Sequence, residues 1–398
     1  MTQESQKIGV STATIIGMNA MIGSGIFIVP ATLASFVGPA GILAFIFVIF
    51  SVLFMALSLA KVASYFPQEG SFYAYTKQWA GHSVGLFASC SYIVGLVIAM
   101  GLLCQMAGIY LHHFFPSIPA YYLGLATLIA LVILNMFGVV LSQLGQQILI
   151  CTTVFPLLAT TALCLTKVNF AHLTPFAPYG FSNVLKATRK IIFGFFGFEC
   201  AASLFTIVKD PARNVPQALV YSILLVGIIY TLFVSSIILS TPLSLFSDPN
   251  IPISETLRQV FPNNDWLITL IHISILSAII GTIHSMIWSS SSLFLSQLKE
   301  FRSSIIHKLL HTPVATPRGA VLFIGLCIFT TFSLLHNIDL FFNLTAIFIV
   351  FAYITSMITL LTVKEEWQRT YNIPTFIGIV TALVIFAFAV EGLLEALS

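Results

Sequence analysis

Glu199 is the side chain in this sequence best placed to do chemistry. Of 13 Asp and Glu residues, it alone falls deep inside a long apolar stretch. A charge at the centre of a bilayer costs about 2.5–3.5 kcal/mol even on a lenient insertion scale, so an acid kept there is a functional candidate. The plainer alternative is a protonated carboxyl hydrogen-bonded between helices. Just before it runs Phe193-Gly194-Phe195-Phe196-Gly197-Phe198, and near the start of the chain runs Ile22-Gly23-Ser24-Gly25-Ile26-Phe27. Glycine is worse than alanine in a helix by about 1 kcal/mol, so paired glycines allow the backbone to unwind. At membrane depth, unwound backbone is tolerated only inside protein or along a cavity. Unwinding frees N–H groups that can hold a carboxylate and carbonyls that can hold an ammonium group. An α-amino acid presents both. The structural alternative for either glycine pair is close helix packing by small residues.

His284 sits in the middle of an apolar stretch, seven residues before Ser291 and so on nearly the same helix face. It is a candidate to line a pocket or relay protons, against the simpler role of an interhelical hydrogen-bonding histidine. His272 lies nearer the end of the same stretch and is the weaker candidate. The run Ser289-Ser290-Ser291-Ser292 could offer hydroxyls to a sodium ion, but serine hydroxyls in helices more often bond back to their own carbonyls. Enzyme chemistry finds little support. There is no HExxH sequence and no Walker A sequence, and nothing singles out a serine and a base as a pair. No filter-like repeat or charge ring suggests a channel. The six cysteines (Cys90, Cys104, Cys151, Cys164, Cys200 and Cys327) all lie in apolar stretches and form no CxxC pair. They read as small apolar fillers, so neither a disulfide frame, a metal site nor a cofactor is expected.

The elements that must position these groups follow from composition. The chain has 398 residues, 58% hydrophobic and 7% charged, with a mean hydropathy of +1.02. Soluble domains carry about 25% charged residues. Such a chain cannot cover a water-exposed surface, which excludes a cytosolic enzyme, a nucleic-acid binder and a disordered scaffold. Apolar runs of about 20 residues are long enough to cross a bilayer as helices, and too long for the strands of an outer-membrane barrel. Eleven spans are expected, near 10–37, 40–64, 83–113, 121–138, 146–166, 188–207, 217–240, 265–297, 319–335, 338–362 and 373–396. Segment 253–261 reads as a short amphipathic surface helix. The N-terminus lacks a basic region and a cleavage site, so a removable signal peptide is not expected.

With the N-terminus inside, the inner side receives eleven of the 16 Lys and Arg residues. That bias favours an inner N-terminus and, with eleven spans, an outer C-terminus. The cluster Lys186, Arg189 and Lys190 is the main exception. Asp265 and Asp339 stand at helix starts, where a carboxylate suits the helix dipole. Glu391 and Glu395 fall at the fraying end of the last span.

The two glycine-loosened stretches fall in spans 1 and 6. Corresponding interruptions in two halves are the best sequence pointer to a transporter's binding site. Spans 1–5 (about 8–166) and 6–10 (about 188–362) would then form two five-helix halves of inverted topology, with a further helix at about 373–396. All of it would form a single transmembrane domain over 1–398.

Four blocks carry a family resemblance. Asn19-Ala20-Met21-Ile22-Gly23-Ser24-Gly25-Ile26-Phe27-Ile28-Val29-Pro30 resembles the first-helix signature of the amino acid–polyamine–organocation permeases. Gly197-Phe198-Glu199, followed by Val208-Lys209-Asp210-Pro211-Ala212-Arg213-Asn214-Val215-Pro216, is similar to the sixth helix and next loop of that family. Pro67-Gln68-Glu69-Gly70-Ser71-Phe72-Tyr73-Ala74-Tyr75 resembles its loop between helices 2 and 3, and Tyr371-Asn372-Ile373-Pro374 the stretch before its helix 11. The blocks stand in the family's order over nearly the whole chain, and the bacterial antiporters and symporters, including the arginine/agmatine exchangers, are the nearest in kind.

The resemblance implies an all-α polytopic membrane protein with a LeuT-like 5+5 inverted repeat and discontinuous helices 1 and 6. It implies a secondary amino-acid transporter of the cytoplasmic membrane that works by alternating access. It also implies residue roles. The Ser24 hydroxyl and Gly25 N–H, beside Gly23, would hold the substrate carboxylate. Carbonyls of Met21, Phe193 and Phe196, beside Gly197, would hold the ammonium group. Glu199 would be the proton-sensitive switch, and His284 falls where the exchangers carry an aromatic. The expected partners are an amino acid, a proton or counter-substrate and the lipid bilayer, with no nucleic acid, in a monomer or homodimer. Three features depart from the family. The fifth span has no Lys, the eighth ends in serines instead of an acidic-Gly turn, and there are about eleven spans instead of twelve. The aromatic, weakly charged site favours a neutral amino acid. An amine or polyamine antiporter of the same fold is the alternative, and an intramembrane enzyme the remote one.

Overall fold

The computed structural model describes residues 7–23, 25–66, 71–137, 143–199, 208–246, 253–301, 313–362 and 372–397. Ser24 and Cys200 therefore lie outside the described residues. The helices follow the apolar runs. They are α1 (Val10–Met21), α2 (Gly25–Phe36), α3 (Gly41–Tyr65), α4 (Ser71–Phe114), α5 (Ala120–Met136) and α6 (Gln143–Leu165). The second half holds α7 (Ser182–Lys186), α8 (Thr188–Ile191), α9 (Pro211–Ser240), α10 (Ile253–Val260), α11 (Asp265–Leu298), α12 (Pro317–Leu334), α13 (Ile338–Thr362) and α14 (Asn372–Leu397). Among the described residues, eight helices are long and apolar enough to cross a membrane, and α1 with α2 make a ninth span bent by 54°. α5 is shorter, at 17 residues. These segments fall on ten of the eleven expected stretches; the sixth, near 188–207, holds α8 and a 3-10 turn, and its residues 200–207 lie outside the described residues.

Two boundaries differ from expectation. Before the third span, residues 71–80 are helical instead of looped. That helix breaks at Gly81, whose φ of 80° and ψ of −179° suit glycine and few other residues, and a second helix runs from there to Phe114. α10 does form, but it is no free surface helix. Ile253, Ser254, Thr256 and Leu257 are buried, and it packs on α11 and α2.

The two broken spans lie inside the bundle. α1 packs on α9, α11 and α6, while α8 of the sixth span packs on α3, α14 and α13. A β-bridge joins Ile8 to Val208, with Lys209 N donating to the Ile8 carbonyl at 2.9 Å. It fastens the segment before α1 to the one before α9.

The basic cluster at the entry to the sixth span has partners. Lys186 Nζ reaches Glu391 at 2.6 Å and Glu395 at 3.2 Å, Arg189 reaches Glu395 at 3.2 Å, and Lys190 reaches Asp339 at 2.7 Å. The hydrogen bond to Glu391, then that to Glu395, holds the Lys186 ammonium above the ordinary lysine pKa. The end of α14 is thus a fixed contact for α7 and α8 rather than a fraying tail. The placement of these cations follows from their acids, so they need not obey the inner-side bias.

Candidate functional site

α1 ends at Met21 because Ile22 leaves helical geometry (φ −78°, ψ 81°). In the sixth span, α8 gives way to a 3-10 turn over Ile192–Phe195. Phe196 is extended, with φ −62° and ψ 138°. Gly197 then takes a φ of 109°, a region that costs most other residues about 1–3 kcal/mol. The two interruptions touch. A methyl added at Gly25 would lie 3.1 Å from the Gly194 Cα, and one at Gly197 would lie 2.5 Å from the Ala20 carbonyl oxygen. Glycine is required at Gly197 for both reasons.

Neighbouring helices hold the first interruption open. Thr282 on α11 donates to the carbonyls of Asn19 at 3.2 Å and Ile22 at 3.4 Å. Tyr230 on α9 donates to the Met21 carbonyl at 3.2 Å. These bonds satisfy backbone oxygens that the helix no longer serves.

Between the interruptions lies a cavity of about 20 Å³. From the expected set, Met21, Gly23, Gly25, Phe193 and Phe196 line it. Ala99 and Leu103 on α4, with Thr282 and Met286 on α11, complete it, and no local sequence signal marks them. Among the described residues, Thr282 supplies the one side-chain hydroxyl in this lining, and no charged side chain takes part. The volume suits about one water molecule. Phe193 closes one side, packed edge-on against Phe342 with ring centres 4.9 Å apart.

Glu199 stands behind this cavity rather than in its wall. Tyr92 on α4 donates to Oε1 at 2.5 Å, Tyr353 on α13 donates to Oε2 at 2.6 Å, and the Gly197 N–H donates to Oε2 at 3.2 Å. The carboxyl is 4% exposed and both oxygens accept. Phe72 covers the two tyrosines, with ring centres 4.3 Å and 5.9 Å away. Phe196 and Phe198 pack on Tyr353 at 6.3 Å and 5.2 Å. One acid therefore ties the sixth span to α4 and α13. Tyr92 and Tyr353 were not foreseen, being 107 and 154 residues from Glu199.

His284 is not part of the cavity lining. It is 3% exposed, with Nδ1 2.9 Å from Asn135 Nδ2 on α5. Thr282 and Met286, an i,i+4 pair, face the cavity. His284 lies two residues from either, about 200° round the helix. His272 faces Ser254 at 2.9 Å and the His113 ring at 4.2 Å, also away from the cavity. In the serine run, Ser290 bonds back to the Met286 carbonyl, as expected of a helix hydroxyl.

The amino acid permease family matches residues 8–393 of this sequence. The chain belongs to the amino acid permease family. The amino acid permeases it resembles include the branched-chain amino acid permease BcaP of Bacillus subtilis, 27% identical over 67% of this chain and 62% of BcaP. The glutamate/serine transporter AimA of the same organism is 25% identical over 94% of this chain and 74% of AimA. The match to BcaP thus spans just under two thirds of that relative's length. Among solved structures, MhsT in complex with L-phenylalanine superposes with a TM-score of 0.65 at 14% identity, covering 95% of this chain and 98% of MhsT. That likeness establishes a LeuT-like polytopic helical fold for this permease. Membership also settles its class as a multi-pass membrane transporter rather than an enzyme.

Proposed function

We propose that this permease is a secondary transporter of neutral α-amino acids in the cytoplasmic membrane. It works by alternating access, with its N-terminus inside and its C-terminus outside. The observation that carries this reading is the cavity between the two helix interruptions. Among the described residues, Gly23 and Gly25 of the first span and Phe193 and Phe196 of the sixth line it, with the apolar side chains of Ala99, Leu103 and Met286, the hydroxyl of Thr282 and no charged side chain. Main-chain N–H groups at the start of α2, together with the Ser24 hydroxyl, suit a carboxylate. The carbonyls of Phe193 and Phe196 suit an ammonium group, joined by that of Met21 once Tyr230 or the Gly23 N–H releases it. The side-chain pocket left by Ala99, Leu103 and Met286 suits an apolar substituent.

Spans 1–5 and 6–10 would be inverted repeats, with spans 1 and 6 rocking against the rest. At 20 Å³ the cavity admits no amino acid until Phe193, Phe196 or Met286 moves, as an occluding site requires. Glu199 serves coupling. Both of its oxygens accept hydrogen bonds, so adding a proton turns one acceptor into a donor facing a tyrosine donor. One of those bonds must then rearrange, and the tie between the sixth span and α4 or α13 loosens. Transport is coupled to a proton or to exchange with a counter-substrate in this reading.

A polyamine or amine substrate fits less well. A cationic substrate with no carboxylate needs an acid in the wall, and Glu199 is occupied by Tyr92, Tyr353 and Gly197 instead.

Proteoliposomes of the purified chain, loaded with unlabelled leucine, phenylalanine or alanine, test the assignment. Uptake of the labelled amino acid, accelerated by the loaded one or by an inward proton gradient, is expected. Uptake of putrescine or agmatine with no uptake of neutral amino acids would replace this reading with the amine one.

A further inference from the structure

A cavity much larger than the central one lies elsewhere in the bundle. A cleft of about 470 Å³ runs between α4, α11 and α12. Its walls include Val94, Val97, Ile98, Phe294, Phe323 and Cys327. It opens to the bundle exterior, since Val94 is 41% and Phe323 40% exposed. At the far end Gln105 on α4 donates to the carbonyls of Phe332 and Leu335, and Thr331 donates to the Val97 carbonyl, pinning α12 against α4. At the other end Phe294 and Phe323 stack with centres 4.6 Å apart. From Phe323 to Leu334 the groove follows about 16 Å of helix, close to the depth of one leaflet of a hydrocarbon core about 30 Å thick.

The same end carries charge. Lys299 follows Gln297, which lines the cleft, and Arg318 precedes Phe323 by five residues. Both are exposed. In the proposed orientation this is the inner side.

We propose that the cleft binds one acyl tail of an anionic phospholipid from the inner leaflet, with its phosphate at Lys299 and Arg318. An apolar groove in hydrocarbon gains nothing from the hydrophobic effect, so packing and headgroup charge decide occupancy. The tail matches the apolar wall, and the phosphodiester matches the basic rim. The site adjoins the transport machinery, because Val97 and Ile98 face the cleft while Ala99, the next residue, faces the central cavity. The inference uses the proposed function only to name the leaflet, and its tests need no transport.

Native mass spectrometry of the purified full chain, titrated with phosphatidylglycerol and phosphatidylcholine of equal tail length, reads the site. Wild type is expected to keep one phosphatidylglycerol about tenfold more tightly than phosphatidylcholine. Cys327→Phe with Val94→Phe, which fills the cleft, is expected to lose that tight lipid while keeping its melting temperature. Lys299→Gln with Arg318→Gln is expected to keep a lipid but lose the headgroup preference. Should the filled variant misfold, a chain with Cys327 as its sole cysteine gives a second reading. Its labelling by a membrane-permeant maleimide in detergent should slow at least fivefold when phosphatidylglycerol is added. Equal lipid retention by wild type and the filled variant would overturn the proposal. So would an unchanged headgroup preference in the Gln variant, or a Cys327 that does not react even without lipid, the result expected if residues 302–312 of the chain cover the cleft.

Discussion

Gly197 of the sixth span stands with its α-carbon against the Ala20 carbonyl of the first, close enough that a methyl would sit 2.5 Å from that oxygen. This contact joins the two interrupted helices at the level of the cavity. Its φ of 109° adds a second constraint, since an alanine there is strained whatever the space.

Gly197→Ala is therefore expected to lower substrate affinity at least tenfold, about 1.4 kcal/mol. Gly194→Ala is the matched control. Its added methyl meets nothing closer than a Tyr230 ring carbon at 3.5 Å, an ordinary contact. It should bind within about threefold of wild type. Equilibrium binding by both variants, checked for monodispersity, decides the matter, and equal behaviour of the pair would contradict the account.

Glu199→Gln is expected to flatten the pH dependence of transport, because an amide cannot take up a proton in the working range. Tyr353→Phe removes one donor to a buried carboxyl, a loss of about 1–3 kcal/mol of stabilisation. It should shift the pH profile rather than erase it. Initial uptake rates in proteoliposomes from pH 5 to pH 8 give the comparison. A wild-type profile in Glu199→Gln would make this residue structural.

These partnerships explain which features were legible beforehand. The spans and their interruptions were readable because apolar runs and paired glycines are local signals. Glu199 stood out because an acid in an apolar run is costly. Tyr92 and Tyr353 did not, because a tyrosine in a helix is common and its partner lies more than a hundred residues away. The acids that hold Lys186, Arg189 and Lys190 were hidden for the same reason, as they arrive on α13 and α14. His284 drew notice as the polar residue of its span, yet the neighbouring face of Thr282 and Met286 meets the cavity. Helical periodicity defines faces, and only packing decides which face turns inward.

Met286→Ala tests the apolar end of the pocket. Removing three side-chain heavy atoms beside a cavity of about 20 Å³ enlarges it. The ratio of affinities should move toward bulkier neutral amino acids by about tenfold or more, since one methylene of fit is worth about 1–3 kcal/mol. Competition of a panel of unlabelled amino acids against one labelled ligand reports this directly. An unchanged rank order would remove Met286 from the site.

Asn135→Ala and His284→Ala each break a buried pair 2.9 Å apart. Each is expected to cost about 1–3 kcal/mol of stability, from the group left unsatisfied, and to leave substrate affinity within about twofold. Thermal unfolding and ligand binding on the same preparations separate the two effects. A tenfold loss of affinity with unchanged stability would place His284 in the binding site after all.

The central claim is that main-chain groups from two interrupted helices, together with the Ser24 hydroxyl, recognise the amino and carboxylate ends of a neutral amino acid. Thermal stabilisation of the purified chain by matched ligands tests it most directly, since a specific ligand raises the melting temperature by mass action. A neutral L-amino acid such as leucine or phenylalanine should stabilise the protein. Its decarboxylated amine and its deaminated acid should not, and Ser24→Val should abolish the effect. Stabilisation by the amine equal to that by the amino acid, or an undiminished shift in Ser24→Val, would contradict the account.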